Sequence, residues 1–190
     1  VKYPLLLTNE LIPSRAPFIE LRIDGAACPG RLHSALFLMN GVETGGYAQA
    51  SDDPGPVPVT FWGSLSPPDG IENFWDKLRA SRTRMLNLTL EDYEREVRSV
   101  LQDLLGPAGF SAKRDILAIT VNRWPHGYSH EYLDLWDEDW PKGEAPHEIA
   151  RQRFGNITFA NADAGASAYT HTAIEEAARA VAEFDAPSLD

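Results

Sequence analysis

The stretch Gly155–Val181, GNITFANADAGASAYTHTAIEEAARAV, has the pattern of a strand, a turn and a helix. Residues 157–159 are β-branched or aromatic, which is typical of a buried strand. The turn at 161–167 consists of small and polar residues, so it leaves space for another group to lie against it. Strong helix formers follow from Ala173 onward. Their spacing predicts a core-facing stripe that consists of Ile174, Ala177, Ala178 and Val181.

We expect this helix to begin within Tyr169–Thr172. The first N–H groups of a helix have no partners inside it and lie at the positive end of its dipole. Such a helix start is suited to a phosphate or to an electron-rich carbonyl edge of a ring. The sequence therefore predicts a ligand site at the start of the helix.

The same residues resemble a known family. Phe159–Asp163 and Tyr169–Ile174 are similar to the end of the FAD-dependent amine oxidoreductases, where a strand ending in Phe-Ala-Gly and an acidic residue precede a tyrosine and a helix. In this sequence Asn161 replaces the glycine, and the acidic residue is Asp163. The narrower resemblance is to the C-terminal part of bacterial spermidine dehydrogenase-like flavoproteins. It rests on ITVNRWPHGYSHEY and on APHEIARQRFGNITFANADAGASAYTHTAI.

The resemblance implies an α/β (α+β) chain that forms part of a two-domain amine-oxidase-type flavoprotein. Residues 1–124 are expected to belong to a mixed-sheet substrate-binding domain. Within them, strands are predicted in 1–65, helices in 70–105 and a further strand in 115–124. Residues 125–190 are expected to supply the last strand and helix of a Rossmann-like FAD-binding domain.

A dinucleotide-binding turn is not found. Such a turn has the pattern G-x-G-x-x-G, because glycines let the backbone approach a pyrophosphate. GVETGG at Gly41–Gly46 lacks that spacing. In the family the motif lies near the N-terminus of a longer chain. We therefore expect this chain to be a C-terminal piece or one subunit of a split flavoprotein, with the missing N-terminal FAD-binding portion as its partner and no tight FAD binding alone.

Two tyrosines match the positions that flank the amine substrate in this family. The resemblance implies that Tyr128 and Tyr169 are the catalytic residues, with ring faces that hold an amine against the flavin. Aromatic faces also attract a charged amine. The alternative is that both rings pack in the core with their hydroxyl groups hydrogen-bonded.

The resemblance also implies a set of FAD contacts. The expected cofactor-binding residues are Trp124, Gly127, Asn161, Asp163, Thr170, His171 and Thr172. Some family members attach the flavin to a cysteine just before the first tyrosine, and Gly127 occupies that position here. Cys28 lies in an unrelated segment, so we expect FAD to be non-covalent.

Local patterns outside this region predict structural elements. LLLTNELI, ALFLM, VPVTFW and ILAITVNRW have the composition of strands. ENFWDKLRASRTRML and LEDYEREVRSVLQDLLG are helical in pattern. Thr89 is the expected N-cap of the second helix, and Gly106-Pro107 is its expected end. Its predicted apolar face consists of Tyr93, Val97, Leu101, Leu104 and Leu105.

Composition limits the classes of partner. The chain has 190 residues, 43% of them hydrophobic, and this is enough to form a globular core. The formal net charge of −11 argues against nucleic acid. It favours cationic substrates such as amines or polyamines, or it serves solubility alone.

No run approaches the roughly 20 apolar residues of a membrane span. One cysteine excludes an internal disulfide, and the bacterial cytoplasm and periplasm both stay open as compartments.

Two further clusters give weaker indications of function. His126, His130 and Glu131 have a spacing that would suit a metal only on a helix, and Pro125 and Gly127 make a helix improbable there, so no metal site is predicted. The acidic run LDLWDEDWPKGE would line an entrance for polyamines, or it forms a solvated loop with its tryptophans packed beneath.

Taken together, the resemblance and the motifs predict the C-terminal part of a flavin-dependent amine or polyamine dehydrogenase or oxidase. The reaction would transfer a hydride from the carbon beside nitrogen to FAD, and water would hydrolyse the imine. The isolated chain is expected to be inactive. The alternative is a non-catalytic binding or scaffold subunit that keeps the fold without a flavin.

Overall fold

The computed structural model describes residues 2–39 and 55–185. Gly41–Gly46, where the sequence predicts no dinucleotide-binding turn, lies outside these ranges. The chain divides into two compact units: a sheet unit, Tyr3–Gly127, and a C-terminal unit, Val1–Lys2 with Tyr128–Asp190. The assignment of these parts to a substrate domain and an FAD domain stays a prediction.

The sheet unit contains a five-stranded sheet. Its strands are β1 (Leu5–Ile12), β2 (Gly25–Ala27), β3 (Ala35–Leu38), β4 (Val57–Gly63) and β5 (Ala118–Trp124), in the order β2-β3-β4-β1-β5. All the described pairings are antiparallel, so the described sheet has none of the parallel pairs that a mixed sheet contains. Each predicted strand segment in these residues forms one of the strands.

In the described part of this unit, four α-helices accompany the sheet: α1 (Ala16–Leu21), α2 (Phe74–Asn87), α3 (Leu90–Leu105) and α4 (Ala112–Asp115). The predicted N-cap of α3 is confirmed, because the Thr89 hydroxyl accepts from the Asp92 N–H while the Asp92 carboxylate accepts from the Thr89 N–H. This reciprocal arrangement satisfies donors that a helix start leaves unpaired. The predicted apolar face of α3 is confirmed too: Tyr93, Val97, Leu101 and Leu105 are buried, and Leu104 is partly buried.

A polar group interrupts the buried face of β1. Leu6, Thr8, Glu10 and Ile12 all point into the core, because side chains alternate along a strand. Nε2 of the buried His33 lies 2.7 Å from the Thr8 hydroxyl. Burial lowers the pKa of His33 to about 4 and raises that of Glu10 to about 9. Both side chains are therefore neutral near pH 7.

The C-terminal unit contains α5 (Pro146–Ala150), a short 3₁₀ helix (Ala162–Gly165) and α6 (Thr170–Asp185). An ion-pair network joins them. Glu176 of α6, 7% exposed, binds Arg151 at 2.8 Å and Arg179 at 2.7 Å. Arg151 also donates to the Ala164 carbonyl oxygen at 2.9 Å, so it ties α6 to the 3₁₀ helix.

The orientation that the sequence predicted for α6 is wrong. The buried face consists of Thr172, Glu176 and Ala180, whereas Ile174 and Val181 are 65% and 62% exposed. The ion-pair network explains the difference, because it holds the polar face of the helix inward. The expected core-facing stripe lies on the outside.

Residues 157–159 also differ from the predicted buried strand. Ile157 forms an isolated bridge with Phe154, while Ile157 and Phe159 are 55% and 41% exposed. A strand needs a neighbour to satisfy its backbone groups. Within the described residues, no strand pairs with this segment beyond that bridge.

Candidate functional site

The start of α6 is the centre of the predicted site, and the helix begins at Thr170, within the predicted range. Its first helical hydrogen bond runs from the Ala173 N–H to the Tyr169 carbonyl oxygen. Among the described hydrogen bonds, none has the N–H group of Thr170, His171 or Thr172 as its donor. No acidic side chain occupies the first turn, so none competes for the positive end of the helix dipole.

Close packing fixes this helix start against the preceding turn. The Thr172 side chain is buried and lies beside Gly165 of the 3₁₀ helix. A Cβ atom at Gly165 would collide with the Thr172 methyl group and would crowd Glu176. Position 165 therefore needs a glycine, because the side chains of α6 pack directly against its backbone.

Tyr169 precedes α6 and points to the surface. Its side chain is 61% exposed, and its ring stacks on His171 with centroids 5.5 Å apart. Tyr128 is 40% exposed. Within the described structure neither ring is a core residue, which contradicts the alternative of two tyrosines packed inside the protein. Both rings belong to the C-terminal unit.

Asn161 and Asp163 shape the turn through their side chains. The side-chain amide oxygen of Asn161, Oδ1, accepts from the Ala164 N–H at 2.9 Å and caps the 3₁₀ helix. The Asp163 carboxylate accepts from the Lys2 ammonium at 2.7 Å and from the His130 N–H at 2.6 Å. Burial alone would raise the pKa of Asp163, but these two hydrogen bonds and the nearby positive charge of Lys2 together hold the pKa below its usual value. Asp163 is therefore an ionised anchor.

Three hydrogen bonds join the segment after Tyr128 to this turn. Besides the bond from His130 to Asp163, the Tyr132 N–H donates to the Ala166 carbonyl oxygen at 3.1 Å. The Ala168 N–H donates to the Glu131 carboxylate at 3.3 Å. The two segments that the sequence predicted as halves of one site are thus held side by side.

Trp124 and Gly127 lie in the sheet unit. Trp124 ends β5 opposite Leu5 and is 42% exposed. The Gly127 N–H donates to the Tyr3 carbonyl oxygen at 2.7 Å, and a Cβ atom at Gly127 would collide with the Leu5 side chain. Position 127 therefore has no room for a side chain unless the backbone shifts.

An open hollow of about 190 Å³ lies in the C-terminal unit. It is lined by His147, Ala150, Arg151, Phe159, Asn161, Asp163 and Ala164. Its volume is below the roughly 300–1,000 Å³ of pockets that enclose a whole drug-sized ligand. Thr170–Thr172 are not among its lining residues. The hollow therefore has room for only a part of a group as large as FAD.

The histidine cluster and the acidic run give weaker evidence of a functional site. No group of three or more His, Cys, Asp or Glu side chains in the described residues is placed to hold a metal ion. In the acidic run, Trp136 and Trp140 are 50% and 42% exposed, so these tryptophans are not packed beneath the loop. A search of the described helices finds none with the length and apolar character to cross a membrane.

Sequence reasoning missed several residues that build this site. Lys2, Glu131 and Arg151 each bind a group far away in the sequence. No local pattern marks such long-range contacts. The sequence did contain one indication of Glu131. His130 and Glu131 lie close to Tyr128, and polar side chains beside a candidate site residue are expected to hold the site together.

Comparison with solved structures finds proteins of similar fold, whereas comparison by sequence finds none. No protein-family model matches the chain, and neither does any curated protein sequence. Among solved structures, a double mutant of putrescine oxidase with redesigned cofactor binding is similar, with a TM-score of 0.55 and 12% identity over 96% of this chain. Wild-type putrescine oxidase bound to putrescine is similar at 0.55 and 13% over 94%.

The chain spans about a third of these relatives, 36% and 34% of their lengths. At this level of identity the likeness concerns the fold. The chain therefore has an α/β fold that corresponds to part of an amine oxidase.

Proposed function

We propose that this chain is the C-terminal part of a flavin-dependent amine dehydrogenase or oxidase. The observation that carries the proposal is the trio of hydrogen bonds that holds 130–132 against 163–168. These bonds place the segment that begins with Tyr128 beside the turn that leads to Tyr169. The family resemblance and the amine oxidase fold support the same assignment.

FAD is the proposed cofactor, bound without a covalent link. The N–H groups of Thr170–Thr172 would donate to the electron-rich edge of the flavin ring, since the helix start provides both donors and positive potential. Asn161 and Asp163 would keep the turn in place for this contact. Trp124 and Gly127 are proposed as further cofactor neighbours from the resemblance alone.

The proposed substrate is an aliphatic amine or polyamine. The resemblance to spermidine dehydrogenase-like proteins favours a polyamine, and one structural relative was solved with putrescine. When bound, the flavin would accept a hydride from the carbon beside nitrogen, and water would hydrolyse the resulting imine. Tyr128 and Tyr169 would position the amine through their ring faces and keep water from it.

The test is reconstitution with the proposed N-terminal FAD-binding portion. This chain alone should show no yellow flavin absorbance, because it lacks a pyrophosphate turn, and the absorbance should develop when that portion is supplied. Micromolar FAD binding by the isolated chain would contradict the need for a partner. A reconstituted complex without flavin would favour the non-catalytic scaffold.

Two substitutions test the contact at α6 in the reconstituted protein. His171→Ala should leave FAD content nearly unchanged, because the donor is backbone rather than imidazole. Thr172→Pro should lower FAD content, because proline removes one N–H group. Flavin absorbance per protein measures both, and a large loss with His171→Ala would instead assign the contact to the side chain.

A further inference from the structure

Helix α6 buries a polar face and exposes an apolar one. Its inward face carries Glu176, which is 7% exposed and paired with two arginines. Its outward face is a stripe, here called the α6 stripe. The stripe consists of Ile174, Ala177, Ala178, Val181 and Phe184, all of them exposed. Its three large side chains, Ile174, Val181 and Phe184, are 65%, 62% and 55% exposed.

This arrangement is the reverse of a surface helix in a complete domain. Such a helix turns its apolar stripe to the core and its charges to water. In α6 the other face is already held by an ion pair, so turning the helix over would separate Glu176 from Arg151. The polar face of α6 therefore contacts the rest of the C-terminal unit, and the α6 stripe is exposed.

The lengths of the matched structures indicate what covers the α6 stripe. Two structures with this fold are covered to 36% and 34% of their length, so about two thirds of each has no counterpart in this chain. We infer that the α6 stripe is the docking surface for a polypeptide that supplies the rest of this fold and contacts the stripe with an apolar face. This inference rests on the proposed function, since the same polypeptide would carry the pyrophosphate turn.

The composition of the stripe is suited to such an interface. Ala177 and Ala178 at its middle have short side chains, so a partner backbone can approach the helix closely. Ile174, Val181 and Phe184 lie around them and supply the apolar area. The stripe contains no charged residue, which fits the apolar centre of a permanent interface rather than a wet, transient one.

The experiment uses a defined partner, the polypeptide with a G-x-G-x-x-G turn encoded upstream in the same reading frame or in an adjacent gene. That polypeptide is expressed as a separate tagged chain together with the full 190-residue chain. The double variant Ile174→Glu/Val181→Glu should reduce the co-purified amount by about tenfold or more. Ala182→Glu is the matched control, because Ala182 is exposed on α6 but lies about a quarter turn around the helix from both Ile174 and Val181.

Circular dichroism of each purified chain shows whether α6 still forms. Equal co-purification of the double variant and the control would overturn the inference, and so would the lack of any such polypeptide at the locus. Light scattering on the chain alone supplies a further outcome. A dimer that the double variant dissociates would assign the stripe to a second copy and overturn the proposed occupant.

Flavin absorbance in the same samples separates this inference from the proposed function. A complex that depends on the stripe but holds no FAD supports the docking surface and contradicts the flavin assignment. A complex that holds FAD and tolerates both glutamates contradicts the docking surface alone.

Discussion

The N–H group of His130 donates to the carboxylate of Asp163 at 2.6 Å, across 33 positions of sequence. This bond ties the residues after Tyr128 to the turn before α6. Because Lys2 binds the other oxygen of the same carboxylate, one side chain connects three separate segments.

Removing the anchor should loosen the site locally. In Asp163→Ala the His130 amide should exchange with solvent about tenfold faster or more, because a hydrogen bond to a charged acceptor is lost. Hydrogen exchange followed by NMR measures it, with the exposed Glu138→Ala as control. Since the pKa of Asp163 is lowered in the fold, its contribution is present above about pH 4 and is lost on further acidification. Unchanged exchange at His130 would show that the anchor is dispensable.

Glu10 makes the stability of the sheet unit depend on pH between about 4.5 and about 9. In the unfolded chain it loses its proton above about pH 4.5, whereas in the fold burial keeps the proton up to about pH 9. The free energy of unfolding therefore falls as pH rises through this interval, by at most about 1.4 kcal/mol per pH unit. Glu10→Gln keeps a neutral side chain of similar shape and removes this dependence.

The melting temperature of Glu10→Gln should exceed that of the parent by a margin that grows from about pH 5 to about pH 9. Thermal melts at several pH values measure the margin. Glu20→Gln, at an exposed position of α1, is the control and should run parallel to the parent. A constant offset between Glu10→Gln and the parent would contradict a protonated Glu10.

Gly165 should tolerate no side chain while Thr172 keeps its methyl group. Gly165→Ala places a Cβ atom against that methyl and should destabilise the chain by about 1–3 kcal/mol. Thr172→Ser deletes the methyl, so Gly165→Ala should cost clearly less in that background. A double-mutant cycle from denaturant unfolding measures the coupling. Additive effects would mean that the turn and α6 are not in contact.

The sequence predicted the elements better than their burial. Thr89 and Asp92 mark the start of α3 locally, and its apolar spacing gives the correct inward face, because α3 lies against a sheet of the same unit. For α6 the same reasoning chose the wrong face. The pairing of Glu176 with Arg151 bridges 25 positions, and hydrophobic spacing contains no information about it.

The sequence predicted the parts of the candidate site that lie in recognisable motifs. The resemblance pointed to Tyr128 and Tyr169, and the structure holds their segments together through Glu131 and Asp163. It did not indicate Lys2, because an ammonium near the first residue of a chain has no local feature that assigns it a partner.

The two tyrosines give the sharpest chemical test of the proposed function, because both rings are exposed and both follow from the resemblance. If each acts through its ring face, Tyr→Phe at Tyr128 or Tyr169 should change little in the reconstituted, flavin-loaded protein. Tyr→Ala should slow flavin reduction by amine about 2- to 30-fold, since a cation–π contact contributes roughly 0.5–2 kcal/mol. Stopped-flow absorbance at matched FAD content measures the rate. Parent-like reduction in both alanine variants would show that the amine approaches the flavin along another surface.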